Sequence, residues 1–574
     1  MANGMGSLYV GASGLKSSQT ALNTTANNLA NVNTTGYVRQ QVLFGDLSYT
    51  TFNTTAAISN QQSGFGVTIA DVVHTRDYFL DKSYRAESGR QAFYAACYST
   101  TSEVETYYQE MEGEAFQSNL EDFWTAFQEF AKDPSDSANQ NLIMQKATLF
   151  ISRSQSVYSS LQSYQKNINT QISDDIDQIN QLGNTIYSLN QQIAKIEAGG
   201  VETAMSLRDE RDNALDQLSS LANISYKELS DGTVKVKLEG VDFVDETHVY
   251  EMGKQVDKVT GFITPYWPQM SDTSKGQYSA VFNYDVDISS ETNTDIGELK
   301  ALVMQRGNSY ADYTDIEGMS ADDYNDSTGM SVMLTAEAQL DQLIHSIVTA
   351  INDTICPNVA STSAITGTDE NGNAVSYPAG TLILDSENCS VGSDGKIPPA
   401  ELFTRTGCER YTTVTGDDGK TYYVYNTEDT TDTSKMYTTK SLSVNADIME
   451  ETSLLAYKTQ SGEVDYSLGQ ALSDVWSNSA MTLSPNSTGT CTFAEYYSQM
   501  IGELGTAGSV YETTATTLEG TATAINNQRQ QITGVSSDEE LTNMIKYQNA
   551  YNAASRYINV VSEMMETLIN SLGA

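Results

Sequence analysis

The N-terminal stretch, residues 8–32, reads LYVGASGLKSSQTALNTTANNLANV, and the rest of the organisation can be worked out from it. Leucines recur in it every seven residues, at Leu8, Leu15, Leu22 and Leu29. Apolar residues at this spacing form one stripe along an α-helix, as in the seam of a coiled coil. A helix with a single apolar stripe is marginally stable alone in water. We therefore expect a terminal helix, ended by Gly36, that buries its leucines against another helix.

The matching helix is predicted at the other end of the chain, where residues 537–569 contain neither Pro nor Gly. Ser537 and Glu540 have the S-x-x-E spacing of a capping box that opens a helix. We expect this helix to have one apolar face only, to pair with the first helix, and to gain order by packing against further copies. Its two heptad series are Met544, Tyr551, Ile558 and Met565, and Tyr547, Ala554, Val561 and Leu568.

A third heptad pattern runs from Tyr158 to Ile196 and predicts a long helical rod. An internal core explains these residues better than a seam for a partner, although the pattern alone allows both. The helix SLRDERDNALDQLSSL, residues 206–221, carries opposite charges three and four residues apart, which favours ion pairs within the helix. The series of the rod are Leu161, Ile168, Leu182, Leu189 and Ile196, and Ile172, Ile179, Ile186 and Ile193.

Two regions between the helical segments have the texture of β-structure. Apolar and polar residues alternate about Asp231-Gly232, which predicts a β-hairpin. A Thr-, Gly- and Asp-rich region extends from Pro357 to about Ser441. Its turns TDENGNA and TGDDGKTYY could hold a hard cation but are better explained as hairpin tips, because neither has the spacing of an EF-hand loop.

The predicted fold is mainly α with β-rich insertions, a nested multidomain protein whose N- and C-terminal helices pair as a coiled coil. The predicted domains are residues 1–50 with 531–574 as a terminal coiled-coil domain, 51–222 with 296–352 and 442–530 as a helical rod domain, 223–295 as a small β-rich insertion, and 353–441 as a variable β-rich insertion.

Composition excludes several classes of function. The chain has 574 residues, with 31 Lys and Arg against 74 Asp and Glu, a formal net charge of −43. Such a surface repels phosphate, so we expect no nucleic-acid partner and no binding to anionic membranes. The sequence has no apolar run long enough for a membrane span, and its start lacks the basic and apolar regions of a cleavable signal peptide.

The sequence shows no arrangement of residues typical of an active site. Its three histidines are far apart, and it lacks a zinc-binding H-E-x-x-H helix, a nucleophile elbow and a phosphate-binding loop. We therefore expect neither catalysis nor a cofactor or metal ion. The five cysteines include no C-x-x-C pair, and Cys389 and Cys408 could either pair or remain small buried hydrophobes.

Residues 27–42, NNLANVNTTGYVRQQV, resemble the N-terminal signature of the axial proteins of the bacterial flagellum. The continuation by Arg39-Gln40 is typical of the hook-associated protein 1 family. Residues 530–570 resemble the C-terminal axial helix of the same group, and the resemblance is weak only across residues 352–441. The residues that carry the N-terminal motif are Asn27, Asn28, Asn31, Thr35, Gly36, Tyr37, Arg39 and Gln40.

The resemblance implies a structural subunit of the flagellum, outside the cell, that joins hook to filament. The implied partners are further copies of the chain, the flagellar hook protein, hook-associated protein 3, the flagellar export apparatus and an export chaperone. Export would occur through the flagellar type III apparatus, without a cleaved signal peptide. The expected assembly interface comprises Leu8, Leu15, Leu22, Leu29, Met544, Tyr551, Ile558, Val561, Met565 and Leu568.

Two other functions are compatible with the sequence. The flagellar hook protein, or another rod or hook component, shares both terminal motifs, although the Arg39-Gln40 continuation and the long heptad rod argue against it. An extracellular adhesin that binds a glycan through the central β-rich region is the second alternative.

Overall fold

Long helices dominate the computed structural model, which describes residues 2–34, 36–47, 49–53, 61–109, 116–199 and 203–572. Together with the strands given below, they confirm the prediction of a mainly α fold with β-rich insertions. The helices are α1 (Ala2–Ala30), α2 (Tyr78–Gln109), α3 (Phe116–Lys132), α4 (Ser137–Glu197), α5 (Met205–Leu221), α6 (Glu298–Arg306), α7 (Ala321–Asn325), α8 (Val332–Ile355), α9 (Ala446–Glu450), α10 (Tyr466–Asp474), α11 (Phe493–Thr533) and α12 (Ser537–Leu572).

Helix α4 is the axis of the rod and has 61 residues. Asp136 caps it, because its side chain accepts a hydrogen bond from the backbone N–H of Ala138. The heptad residues from Leu161 to Ile193 are mostly buried inside the chain, which confirms the internal-core interpretation, and Ile196 is exposed at the end of the helix. Helices α2 and α11 run beside each other, and α3, α8 and α10 complete the helical packing.

An aromatic cluster joins α3, α4 and the turn after α10. Phe123 stacks on Phe150 with ring centroids 5.4 Å apart and meets Trp476 edge-on at the same distance. Fully buried aromatic residues contribute large apolar areas and prefer these offset and edge-on geometries. The cluster therefore anchors α3 and α4 to the turn that follows α10.

Four strands between α1 and α2 were not predicted from the sequence: β1 (Gln40–Asp46), β2 (Tyr49–Asn53), β3 (Gln61–Gly64) and β4 (Val67–His74). Strand β1 pairs antiparallel with β4, and β2 pairs antiparallel with β3. Both pairings cross residue 50, where the sequence predicts a domain boundary. The division into four domains stays a prediction.

The small insertion contains two sheets, made by β5 (Ile224–Glu228), β6 (Val234–Leu238) and β7 (Val241–Val244), and by β8 (Gly253–Val256) and β9 (Ile263–Tyr266). Strands β5 and β6 form the hairpin predicted about Asp231-Gly232. Gly232 has φ +83°, a left-handed conformation that favours glycine at this turn.

The large insertion is built around a six-stranded sheet with strand order β10-β13-β16-β15-β11-β12. Residues 370–373 form the tip of the β11–β12 hairpin and residues 417–420 that of the β15–β16 hairpin, as predicted. The strands here are β10 (Asn358–Ala360), β11 (Ile365–Asp369), β12 (Ala374–Tyr377), β13 (Leu382–Leu384), β14 (Phe403–Arg405), β15 (Tyr411–Gly416), β16 (Thr421–Tyr425) and β17 (Leu442–Val444), of which β14 and β17 pair separately.

All five cysteines are free thiols, so Cys389 and Cys408 are not joined. Within the described ranges, no cluster of three or more His, Cys, Asp or Glu side chains is arranged to hold a metal ion. None of the helices described above combines the length and the apolar character that crossing a membrane requires.

Candidate assembly site at the chain termini

Helices α1 and α12 pair antiparallel and approach closely where α1 has no side chains. A β-carbon built on Gly14 would lie 3.7 Å from Cβ of Ala554, and one on Gly11 would lie 2.6 Å from Cγ1 of Ile558. Glycine allows this approach because it leaves room for the side chains of the partner helix. The buried stripe of α1 consists of small or polar residues, namely Gly11, Ser17, Ser18, Ala21, Thr25 and Asn28.

The prediction that the leucines form the contact surface of α1 is therefore wrong, because the contact lies on the neighbouring row of the helix. Leu8, Leu15, Leu22 and Leu29 lie beside the buried stripe and are half-buried. Leucines at the contact would hold the two helix axes further apart than the glycines do. Their role in packing against a neighbouring copy stays a prediction.

On α12 the predicted seam faces α1, although unevenly. Val561 is buried, and Leu568 is 48% exposed near the end of the helix. Four further seam residues are half-buried: Met544, Tyr551, Ile558 and Met565.

The expectation that α12 has no second apolar face is wrong. Ile545 and Met564 are 60% and 65% exposed on the side away from α1. Their positions do not follow the heptad series, so a search for seven-residue repeats passes over them. The exposed apolar face, as we call it, comprises Leu541, Ile545, Tyr557, Val560 and Met564.

A polar clasp joins α1, the loop after it and the start of α12. The Nδ2 group of buried Asn28 donates to the carbonyl oxygen of Gln40 at 2.9 Å and to Oε2 of Glu540 at 3.0 Å. Its Oδ1 accepts from the Tyr37 hydroxyl at 2.8 Å and from the Gln40 backbone N–H at 3.1 Å. Arg39 Nε contacts Oε1 of Glu540 at 2.9 Å. The clasp, defined as Asn28, Tyr37, Arg39, Gln40 and Glu540, thus satisfies the buried amide fully.

The predicted capping box at the start of α12 is wrong. The side chain of Ser536, not of Ser537, accepts the backbone N–H of Glu539, at 3.5 Å. Glu540 does not reach back to its own helix, because its carboxylate is taken by Asn28 and Arg39. The sequence spacing fits a capping box equally well, but the partners of Glu540 come from the other end of the chain.

The remaining motif residues surround the clasp. Asn27 is exposed and donates to the Tyr37 hydroxyl at 3.3 Å, while Asn31 turns back to Asn27 with its side-chain amide. Helix α1 ends at Ala30, before Gly36, which has φ +81° in the loop. Thr35 lies outside the described residues.

Burial, with the carboxyl groups of Asp209 and Glu540 nearby, raises the pKa of Tyr37 to about 12. The hydroxyl therefore stays neutral at physiological pH and serves as the donor to Asn28.

The backbone of the motif attaches the terminal helices to the rod. The N–H of Val38 donates to Oδ2 of Asp209 on α5 at 3.1 Å, and that of Arg39 donates to the carbonyl oxygen of Thr533 on α11 at 2.8 Å. His74 Nδ1 lies 3.4 Å from Oδ1 of Asp209. Burial raises the pKa of Asp209 to about 7, and burial together with neighbouring Arg side chains lowers that of His74 to about 4. In mildly acidic solution the pair therefore holds one proton, on the carboxyl group.

Next to this attachment, three arginines and three aspartates alternate in a closed ring of ion pairs, which we call the ion ring. Asp81 contacts Nε of Arg76 at 2.7 Å and Nε of Arg529 at 2.6 Å. Asp216 contacts Arg529 at 2.5 Å and Arg85 at 2.6 Å, and Asp212 closes the ring by contacting Arg85 and Arg76. The ring comprises Arg76, Asp81, Arg85, Asp212, Asp216 and Arg529, and it connects α2, α5 and α11 at the point where the terminal helices leave the rod.

The ion ring was not predicted from the sequence, and the predicted partners of the charges on α5 are wrong. The arginines and aspartates of residues 206–221 pair with other elements, since Arg208 binds Glu197 and Glu228, and Asp212 and Asp216 bind the ring. The sequence does show a charged helix in which Asp212 and Asp216 lie four residues apart and so share one face. Their partners are more than 100 residues away and could not be identified from one sequence.

Comparison with protein families finds three matches along the chain. A model described as the flagellar hook-associated protein FlgK helical domain matches residues 101–361. The flagella basal body rod protein model matches residues 8–37, and the flagellar basal body rod FlgEFG protein C-terminal model matches residues 527–572. The last two cover most of α1 and α12.

Curated relatives match over nearly the full length. Flagellar hook-associated protein 1 of Bacillus subtilis is 25% identical over 97% of this chain and 96% of its own. That of Escherichia coli is 23% identical over 97% of this chain and 98% of its own. A solved structure, the flagellar hook junction protein FlgK from Burkholderia pseudomallei, has a TM-score of 0.48 and 14% identity, covering 79% of this chain and 100% of that one.

The three family models occur in the order that the sequence analysis expects for an axial protein, and the middle one is specific to the hook-associated helical domain. The relatives extend the match across both β-rich insertions. Over nearly its full length the chain is similar to flagellar hook-associated protein 1, and its residues 101–361 match the helical-domain model of that protein.

Proposed function

We propose that copies of this chain assemble into a short ring at the hook–filament junction, between the hook and the next junction protein. Its likeness to flagellar hook-associated protein 1 supports the role of a structural component of the bacterial flagellum. The observation that supports assembly best is the exposed apolar face of α12. Apolar side chains exposed together along one helix indicate a surface that another protein covers.

The interface proposed for neighbouring copies has two parts. The first is the exposed apolar face of α12, and the second is the row of half-buried leucines on α1. Both lie on the paired terminal helices, so two neighbours could cover them from opposite sides. Of the predicted interface residues on α12, Leu568 is the most available, whereas Val561 is already buried within the chain.

The proposed partners follow from the likeness to flagellar hook-associated protein 1: the hook protein on one side, hook-associated protein 3 on the other, and an export chaperone with the flagellar export apparatus before assembly. We infer export as an unfolded chain through that apparatus, to an extracellular site on the flagellum. The relatives are structural proteins, and we infer that this chain is likewise not an enzyme.

Deletion of the gene in the source bacterium tests the proposal. We expect electron microscopy to show hooks without filaments, with flagellin shed into the medium, and we expect the full-length gene to restore filaments. Cells without hooks would assign the chain to the hook or rod instead, and cells with normal filaments would contradict a structural role at the junction.

A further inference from the structure

We propose that the polar clasp fixes the register of the two terminal helices, with Glu540 as its positioning residue and Asn28 as its partner on α1. The inference concerns contacts within one chain and does not rest on the proposed place in the flagellum.

The contact surface of α1 is nearly uniform and selects a register only weakly by itself. Its residues are all small and follow each other at alternating intervals of three and four, as in a heptad pattern: Gly11, Gly14, Ser18, Ala21 and Thr25. Opposite them, α12 repeats residues of similar size every seven positions, such as Met544, Tyr551 and Ile558. A displacement by one heptad keeps the same faces in contact and opposes packing mainly where Tyr547 would replace Ala554 against Gly14.

The clasp, in contrast, occurs once. Glu540 is the only charged residue of α12 that is buried in the described structure, with 2% of its surface exposed, and Asn28 is 1% exposed. Both carboxylate oxygens of Glu540 have donors, and all four hydrogen-bonding positions of the Asn28 amide are used. A displaced register would leave the carboxylate without Asn28 and Arg39. A single buried polar pair is known to specify register in coiled coils at some cost in stability.

A second contact, further along the two helices, agrees with the register that the clasp selects. Gly14 lies opposite Ala554, and each is fourteen residues from its clasp residue, Asn28 and Glu540 respectively. The close approach at Gly14 is thus in phase with the clasp. If α12 moved outward by one heptad, position 14 would face Tyr547 instead.

Disulfide trapping in the purified full-length chain distinguishes the two registers. The pair Gly14→Cys with Ala554→Cys reports the observed register, because the two Cβ positions are 3.7 Å apart, within the range of about 3.5–4.5 Å for a disulfide. The pair Gly14→Cys with Tyr547→Cys reports the displaced one. Oxidised glutathione forms the bond, and peptide mass spectrometry separates it from the five native cysteines, which lie between residues 97 and 491.

In the parent chain we expect the first pair to form at least about tenfold faster than the second. The double variant Asn28→Leu with Glu540→Leu removes the clasp without stranding a charge, and there we expect the two rates to come within about threefold. Glu539→Leu is the matched control, because Glu539 also contacts Arg39 but is exposed, and it should keep the parent ratio.

Unchanged preference in the double variant would overturn the proposal, as would a parent chain in which neither pair forms. If the double variant does not fold, Glu540→Gln decides with the same two cysteine pairs, since it keeps the shape of the side chain and removes the charge. Loss of preference in Glu540→Gln supports the clasp, and full preference overturns it.

Discussion

At the scale of single residues, the structure separates neighbours that look alike in the sequence. Asn27 and Asn28 are adjacent asparagines of the motif, but Asn27 is exposed and Asn28 is buried in the clasp. The sequence predicts both as parts of one signature. It could not distinguish their roles, because the partner of Asn28 is Glu540, 512 residues away and interpreted as a helix cap.

Asn28→Asp should detach the terminal helices at neutral pH. The change puts a second carboxylate where the amide now donates to Glu540 at 3.0 Å, and buried like charges repel. We expect the free energy of opening of α12, measured by hydrogen exchange, to fall by on the order of 2 kcal/mol at pH 8. We expect it to recover near pH 5, because one carboxyl takes up a proton there. Asn27→Asp, on the exposed neighbour, should exchange like the parent at both pH values; equal exchange in the two variants would contradict the role of Asn28.

Glu337 makes the folding stability of the rod fall as the pH rises. Its Oε2 accepts the Ala311 backbone N–H at 2.9 Å, its Oε1 has no partner, and burial raises its pKa to about 8. The folded chain therefore holds a proton that the unfolded chain releases above about pH 4.5, so this group lowers stability as pH rises from about 4.5 to about 8.

Glu337→Gln removes that loss and keeps the acceptor for Ala311. We expect its free energy of unfolding in urea to exceed that of the parent by on the order of 2 kcal/mol at pH 8, and to match it near pH 4.5. Glu129→Gln, on the exposed surface, serves as control. Parallel pH profiles of Glu337→Gln and the parent would show that the carboxyl does not titrate in this range.

At the scale of elements, heptad periodicity predicted the helices and their pairing correctly but chose the wrong face of α1. The leucines and the buried stripe of small residues are neighbouring rows on one helix, and apolar pattern alone favours the leucines. The small residues are buried because they let α12 approach closely. An apolar pattern depends on side chains that are present, and therefore it does not reveal a contact that depends on their absence.

Gly11→Ala tests this close approach, with Gly6→Ala as a matched control. Alanine is a better helix former than glycine by about 1 kcal/mol, and nothing lies within 4 Å of a β-carbon at Gly6, so that control should stabilise the terminal pair. At Gly11 the new methyl group would meet Ile558 at 2.6 Å, and we expect a cost of about 1–3 kcal/mol from overpacking. Thermal melts of the two variants should shift in opposite directions, and equal shifts would exclude tight packing at Gly11.

The ion ring predicts a large effect of one arginine at the base of the terminal helices. Arg529→Met leaves Asp81 and Asp216 without this partner, and both are largely buried. Removing one member of a buried ion pair costs about 3–5 kcal/mol. Lys132→Met removes only an exposed pair with Glu129 and should change the free energy of unfolding by less than about 1 kcal/mol. Similar urea midpoints for the two variants would mean that the ring adds no stability.

At the scale of the whole molecule, the chain is nested so that its two ends meet and leave the rod together. This order was predictable, because three separate stretches of helical periodicity enclose two stretches of β-pattern. The hairpins β1–β4 and β2–β3 were not, since their pairing depends on the neighbouring α1 and on register rather than on a strong alternation. With a net charge of −43, copies repel one another, so assembly must depend on apolar contacts that outweigh the repulsion.

Charges placed on the terminal helices should therefore block assembly without unfolding the rod. Met564 is 65% exposed, so Met564→Asp should change the free energy of unfolding of the purified chain, measured by thermal melting, by less than about 0.5 kcal/mol. In the assembled state the same carboxylate would be buried without a partner, which costs at least on the order of 2 kcal/mol for each subunit contact. Leu22→Asp and Ile558→Asp should act in the same direction, with some loss of helix pairing as well.

Cells carrying each variant in place of the parent gene provide the measurement, read as attached filaments per cell by electron microscopy. Asn23→Asp adds the same charge at an exposed polar position of α1, away from both proposed contact surfaces, and should keep its filaments. If Met564→Asp cells had normal filaments, the exposed apolar face would not be a contact between copies. If Asn23→Asp cells lost theirs, net charge rather than a specific apolar contact would limit assembly.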